Sequence, residues 1–174
     1  MRSWMLKLKD KMNKILFLEE IKLIIEKKGF KIDKFDFERP WGGFFVIEES
    51  QTDEFVSEFF PELSKKSLEG YHKLSPKILV VAPQKRLSWQ YHFRRAEIWR
   101  VIQNKIAVVT SETDEESAIN EYEEGQTIVL KQGERHRLVG LEKFGVVAEI
   151  WQHTDSENQS DEDDIVRLQD DFGR

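Results

Sequence analysis

Between Lys77 and Gln152 the chain breaks into eight short runs rich in β-branched and aromatic residues: 77–82, 86–92, 97–102, 106–110, 117–122, 126–130, 136–139 and 145–152. Each run has the length of a strand, and turn signals separate them. Short strands in such close order predict an all-β sandwich or barrel.

The patterning ahead of this block is different. Residues 13–28 place Leu16, Phe17, Ile21, Ile24 and Ile25 on a helical stripe, and Gly29 supplies a stop. The stretch from Met1 to Met12, with Trp4, Met5, Leu6 and Leu8, either extends this helix or forms a short one of its own. The stripe is expected to pack on its own domain. Pro40-Trp41-Gly42-Gly43 is a turn signal before the strand-like Phe44–Ile47. Residues 53–69 read as one or two short helices broken at Pro61. The acid-rich stretch 154–164 reads as a solvated loop, and the tail 164–174 regains Ile165, Val166, Leu168 and Phe172 and is expected to pack back. With no repeat and no linker, the expected organisation is an N-terminal helical extension over 1–35, then one barrel domain over 36–174 with a helical insertion near 50–75.

Composition narrows the function. A net charge of −6 argues against a nucleic-acid or anionic-membrane surface, since both need an excess of Lys and Arg. The chain has no cysteine, so any metal must be held by N and O donors. The basic N-terminus lacks a signal-peptide core, and no run reaches the roughly 18 apolar residues of a membrane span. The expectation is a soluble, cytoplasmic protein.

One constellation carries chemistry. Gln90 and His92 are two residues apart, so on a strand they share a face. Glu97 follows on the next run and His136 arrives on a separate one, just after the Gly133 turn. Converging in a barrel, these side chains would hold a divalent transition metal. On the same parity argument, Arg135 and Arg137 oppose His136 and point away from the metal, and Tyr91 opposes the ligand face.

The surrounding text is similar to a known family. Arg86-Leu87-Ser88-Trp89-Gln90-Tyr91-His92-Phe93-Arg94-Arg95-Ala96-Glu97-Ile98-Trp99 resembles the cupin motif of type II mannose-6-phosphate isomerases, and Gly133-Glu134-Arg135-His136-Arg137-Leu138 resembles their second motif. Arg39-Pro40-Trp41-Gly42, Glu162-Asp163-Asp164-Ile165-Val166-Arg167 and Asp171-Phe172-Gly173-Arg174 match further family motifs in the same order. The family pattern has histidine where Phe93, Arg94 and Ile98 stand here, and none of these is a ligand position. The usual glycine before Arg86 is replaced around Gln84-Lys85, and that of the first hairpin by Asn104.

The resemblance implies a cupin double-stranded β-helix, a jelly-roll barrel, carrying one divalent ion on Gln90, His92, Glu97 and His136. Zinc is the first expectation, with manganese, nickel or iron as alternatives. It implies metal-dependent interconversion of mannose 6-phosphate and fructose 6-phosphate or a close relative, on a cupin without the nucleotidyltransferase half. Arg95 and Arg174 fall on family motifs and are the catalytic candidates. Arg86 and Lys131 are candidate substrate anchors, because cationic side chains suit phosphate oxygens. The expected partner is a small sugar or sugar phosphate, with a homodimer by analogy. Two other readings stay open: a free-sugar isomerase of the lyxose type, and a non-catalytic sugar-binding or regulatory cupin.

Overall fold

The computed structural model describes residues 2–71 and 73–174; Met1 and His72 lie outside it. Helix α1 (Arg2–Lys27) is one continuous helix, because nothing within it is a Gly or Pro. It ends in a Schellman cap. Gly29 adopts φ +88°, its N–H donates to Glu26 O at 2.9 Å and the Phe30 N–H donates to Ile25 O at 3.2 Å.

The face that α1 buries is set by its partner. Leu18, Ile21 and Ile25 are buried, whereas Leu16 and Ile24 of the expected stripe are 63% and 39% exposed. Strand β2 (Gly42–Ile47) meets the helix where Gly43 has no side chain: a Cβ there would lie 2.9 Å from Leu18 Cδ2. That close approach selects Leu18 as the inward residue. The N-terminal half of α1 leaves Trp4, Met5, Leu6, Leu8 and Met12 exposed.

Strand β1 (Ile32–Asp36) pairs antiparallel with β2, so the sheet begins inside the segment assigned to the helical extension. Helix α2 (Thr52–Phe59) is followed by a single 3₁₀ turn over Lys65–Leu68. The remaining strands are β3 (Lys77–Val81), β4 (Trp89–Tyr91), β5 (Arg95–Gln103), β6 (Ile106–Ser111), β7 (Asn120–Tyr122), β8 (Thr127–Leu130), β9 (Arg135–Gly140), β10 (Gly145–His153) and β11 (Val166–Gln169). Asn104 takes the β5–β6 turn at φ +59°, the left-handed conformation that asparagine tolerates better than most residues.

Two antiparallel sheets result, β1-β2-β3-β10-β5-β8 and β11-β4-β9-β6-β7. Between them Leu79, Val81, Trp99, Val101, Ile106, Val108, Leu130, Leu138 and Val147 form an inner core. The outer face of the six-stranded sheet is covered by α1 and α2, whose Leu18, Ile21, Ile25, Phe55 and Phe59 pack on Ile78, Val80, Ile98, Ala148 and Ile150. Strand β3 is therefore buried along its whole length and reads as an unbroken apolar run after Lys77. Fully burying each such side chain contributes about 1.5–3 kcal/mol. Ile98 belongs to this covered face, which accounts for an aliphatic residue at that position. The two sheets leave a cavity of about 390 Å³ between them.

Candidate metal centre

Antiparallel register aligns the cavity residues. In the five-stranded sheet Arg167 of β11 lies opposite Gln90 of β4, and Gln90 lies opposite His136 of β9. Directly opposed residues share a face. In the other sheet Glu97 lies opposite Trp151, and Trp99 lies opposite Glu149, which lies opposite Lys77. The parity that sends Ile98 and Ile150 outward sends Glu97, Trp99, Glu149 and Trp151 inward.

His92, Glu97 and His136 converge with one potential ligand atom each, all within 4.8 Å of one another. His92 Nε2 is 3.2 Å from Glu97 Oε1, and His136 Nε2 is 3.5 Å from Glu97 Oε2. All three side chains are buried. The hydrogen bonds fix both tautomers. His92 Nδ1 lies 2.6 Å from the Asp164 carbonyl and His136 Nδ1 lies 3.0 Å from the Glu134 carbonyl. A carbonyl only accepts, so each Nδ1 carries the proton and each Nε2 presents a lone pair to the cluster. His136 Nε2 is buried and has no hydrogen-bond partner among the described residues. Two imidazole nitrogens with inward lone pairs, one of them the orphaned His136 Nε2, and a carboxylate suit a divalent ion, with backbone carbonyls orienting the rings. The residues fit the ion.

The electrostatics agree. Burial pushes His92 down to about 4, and Glu97 opposes this only in part. Burial alone would raise Glu97, but the positive charges that His92, when protonated, and Arg95 set beside it hold it well below the ordinary carboxylate range. With the rings neutral, the Arg95 guanidinium supplies that charge. Gln90 faces the cavity, and its Oε1 accepts a hydrogen bond from the Ser88 hydroxyl.

Arg95 is fixed beside the ligands. Its Nε donates to Glu97 Oε1 at 2.8 Å, and one terminal nitrogen lies 3.2 Å from His92 Nε2. The other donates to Ser160 Oγ at 2.8 Å and to Asp161 O at 2.9 Å. The guanidinium also sits 3.6 Å from the centre of the Trp151 ring. Arg174 lines the cavity and is held by Asp170, with Nε 2.9 Å from Oδ2.

Two expected anchors are not at the cavity. Arg86 makes a bidentate pair with Asp171, at 2.7 and 2.9 Å, and Lys131 is an exposed turn residue 3.5 Å from Glu112. Neither lines the cavity. In both cases a carboxylate from elsewhere in the chain lies beside the cation, which strand parity does not reveal. Arg135 lies over the Tyr91 ring and binds Asp114, while Arg137 donates to Leu87 O, so neither is directed to the metal ligands. Arg94, in place of a family histidine, reaches out to Asn158 and Asp161.

The acidic stretch also departs from expectation. Although most of 154–164 is solvated, Ser160 and Asp164 are buried. Asp164 accepts from the N–H groups of Phe93 and Arg94, both at 3.0 Å, and from the Ser160 hydroxyl at 2.6 Å. Burial would raise its pKa, but these bonds hold the carboxyl below its usual range.

Further cavity residues escaped the sequence reading. Lys77 is buried, forms an ion pair with Glu162 and lies 3.8 Å from the centre of the Trp151 ring. Glu149 is buried and accepts from Trp99 Nε1 at 3.0 Å; the same indole lies 3.1 Å from Glu97 Oε2. Burial and then the Glu97 charge push Glu149 up to about 8, against Lys77 and Arg95. An acid interrupting the apolar run Val146-Val147-Ala148-Glu149-Ile150 was a usable signal.

The sequence model of the family described as mannose-6-phosphate isomerase C-terminal matches residues 30–170. No curated protein sequence matches the chain. Among solved structures, the capsular polysaccharide assembling protein CapF from Staphylococcus aureus is similar at TM-score 0.51 and 12% identity, over 80% of this chain and 34% of that one. A Cupin 2 conserved barrel domain protein from Salinispora arenicola CNS-205 is similar at TM-score 0.41 and 21% identity, over 48% and 65% of the two chains. A recombinant oxalate oxidase gives TM-score 0.45 and 17% identity, over 55% and 46%. This chain thus spans 34% to 65% of their lengths, and at these identities the likeness is one of fold. The match over residues 30–170, on a barrel of two antiparallel sheets, makes the chain a member of the mannose-6-phosphate isomerase C-terminal family of cupins.

Proposed function

We propose that the chain is a metal-dependent aldose–ketose isomerase that interconverts mannose 6-phosphate, or a closely related sugar phosphate, with its ketose. The observation that carries this reading is the buried His92–Glu97–His136 cluster, with its Nε2 lone pairs turned inward beside a polar cavity. These three residues and Gln90 would hold the ion, with zinc, manganese, nickel and iron all compatible with N and O donors. A divalent ion there supplies Lewis-acid polarisation of sugar oxygens.

The reaction removes the proton on C2 of the aldose and returns one to C1, while a proton passes from the O2 hydroxyl to the carbonyl oxygen. Glu149 is the group we assign to the carbon-bound proton. It lines the cavity and forms no ion pair among the described residues. Its hydrogen bond from Trp99 leaves the second oxygen without an assigned partner. Arg95 is a fixed positive charge beside Glu97, suited to steadying negative charge on an enediolate oxygen.

The test pairs elemental analysis with isomerisation in D₂O. About one metal per chain, deuterium entering C2 of mannose 6-phosphate, and loss of both after chelation support the reading. Metal without exchange on any sugar phosphate would overturn it. Exchange confined to free sugars would support the lyxose-type alternative.

A further inference from the structure

Resting on the isomerase reading, we propose that Arg167, flanked by Arg174 and Arg39, is the subsite that takes the terminal phosphate of the sugar and so selects phosphorylated substrates. Among the described residues five cationic side chains line the cavity, and four of them are matched by carboxylates. Lys77 pairs with Glu162, Arg95 with Glu97 at 2.8 Å and Arg174 with Asp170 at 2.9 Å. Arg39 Nε lies 2.9 Å from Asp36 Oδ2, off the line of a hydrogen bond. Arg167 has no ion pair and no side-chain hydrogen bond among the described residues. Asp163 also lines the cavity and does not pair with it.

Placement supports the assignment. Arg167 lies opposite Gln90, which lies opposite His136. Two strand spacings of about 4.8 Å therefore separate the Arg167 backbone from that of a metal ligand. A hexose 6-phosphate carries its phosphate at the end of the carbon chain remote from the carbonyl. The row Arg167–Gln90–His136 runs in the same sense, from an exposed cation to the buried metal ligands. The environment of Arg167 is also under-neutralised. Partial burial disfavours its charge, and Arg174 and Arg39 repel it, against Asp170 and Glu162. A dianion placed among three guanidinium groups would relieve that repulsion and accept bidentate hydrogen bonds.

An ordinary solvated strand arginine would contribute no phosphate affinity, and calorimetry on the metal-free chain separates the two roles. The probes are mannitol 6-phosphate, which has no carbonyl to react, mannitol and inorganic phosphate. Wild type should bind mannitol 6-phosphate more tightly than mannitol. Arg167→Gln should weaken mannitol 6-phosphate about ten- to a hundredfold, the loss expected for a charge-assisted pair, and leave mannitol unaffected. Arg167→Lys should recover part of the affinity, and Lys143→Gln, which does not line the cavity, should match wild type. On the metal-loaded enzyme, Arg167→Gln should raise KM for the sugar phosphate with kcat within a few-fold. Equal affinity of wild type and Arg167→Gln would overturn the proposal. So would a wild type that does not prefer mannitol 6-phosphate to mannitol. Phosphate binding through Arg167 with no proton exchange would sink the isomerase reading and leave this subsite standing. Exchange on free sugars without phosphate preference would do the reverse.

Discussion

The Asp164 carbonyl oxygen lies 2.6 Å from His92 Nδ1, and the Asp164 carboxylate accepts from the two N–H groups that follow His92. One residue of the acidic stretch thus fixes both the tautomer and the backbone exit of a metal ligand. Such outer-shell partners typically contribute 10- to 100-fold in metal affinity. Asp164→Ala should weaken metal binding by about that factor with the barrel still folded. Metal titration followed by calorimetry reads this directly, and unchanged affinity would show that the carboxylate does not support the ligand, since the carbonyl contact to His92 survives the substitution.

Removing a ligand should be more severe than removing its support. His136→Ala or His92→Ala should bring the metal content well below one per chain. Because an ion that binds only the folded state stabilises it by mass action, chelation should lower the Tm of wild type. The same chelation should leave the Tm of His136→Ala unmoved. Full metal in both alanine variants would refute the assigned cluster.

Glu149 offers a sharper separation of roles. Positioned acid–base groups contribute about 10²–10⁴ in rate. Glu149→Gln should therefore cut deuterium exchange at C2 by that order, with metal content and KM close to wild type. A loss of metal instead would mean that its Trp99-bridged contact with Glu97 is structural.

The difference between Glu97 and Glu149 shows what the sequence carries. Glu97 sits at a fixed interval from Gln90 and His92, so local spacing and motif text both reveal it. Glu149 and Lys77 are brought opposite each other only by the β10–β3 register, and no local pattern encodes that pairing. The same limit governs Arg86, whose position matched an anchor until Asp171, 85 residues away, proved to be its partner. The strand runs and turns were legible because period-2 patterning and residues such as Asn104 act locally. The inward face of α1 was not, since it is chosen by a glycine on another element.

Gln84 adopts φ +58° where the family places a glycine nearby. A left-handed conformation costs an L-residue about 1–2 kcal/mol, partly offset by the greater freedom glycine loses on folding. Gln84 also donates to the Leu141 carbonyl at 3.0 Å from an exposed position, a bond of small net worth. Gln84→Gly should raise stability by up to about 1 kcal/mol, read from denaturant unfolding. A clear loss would mean the side-chain bond outweighs the strain.

His153 should make the metal-free protein acid-sensitive. The Ser160 N–H donates to His153 Nδ1 at 3.1 Å, so the ring proton sits on Nε2, 3.1 Å from Ser75 Oγ. Protonating Nδ1 would set two N–H groups against each other in a buried pocket. Burial, with repulsion from Lys73 and Arg95, accordingly pushes this histidine down to about 4, and Asp164 opposes that only in part. Below the ordinary histidine pKa of about 6.5 the unfolded chain takes up a proton that the folded chain refuses. Stability then falls as pH drops, by up to about 1.4 kcal/mol per pH unit for one proton, until the folded ring also protonates near 4. Urea unfolding of chelated wild type and His153→Gln at pH 7 and pH 5 isolates this contribution, since His92 titrates in both. Wild type should lose more stability over that interval than the variant. Parallel losses would show that His153 does not carry the acid response.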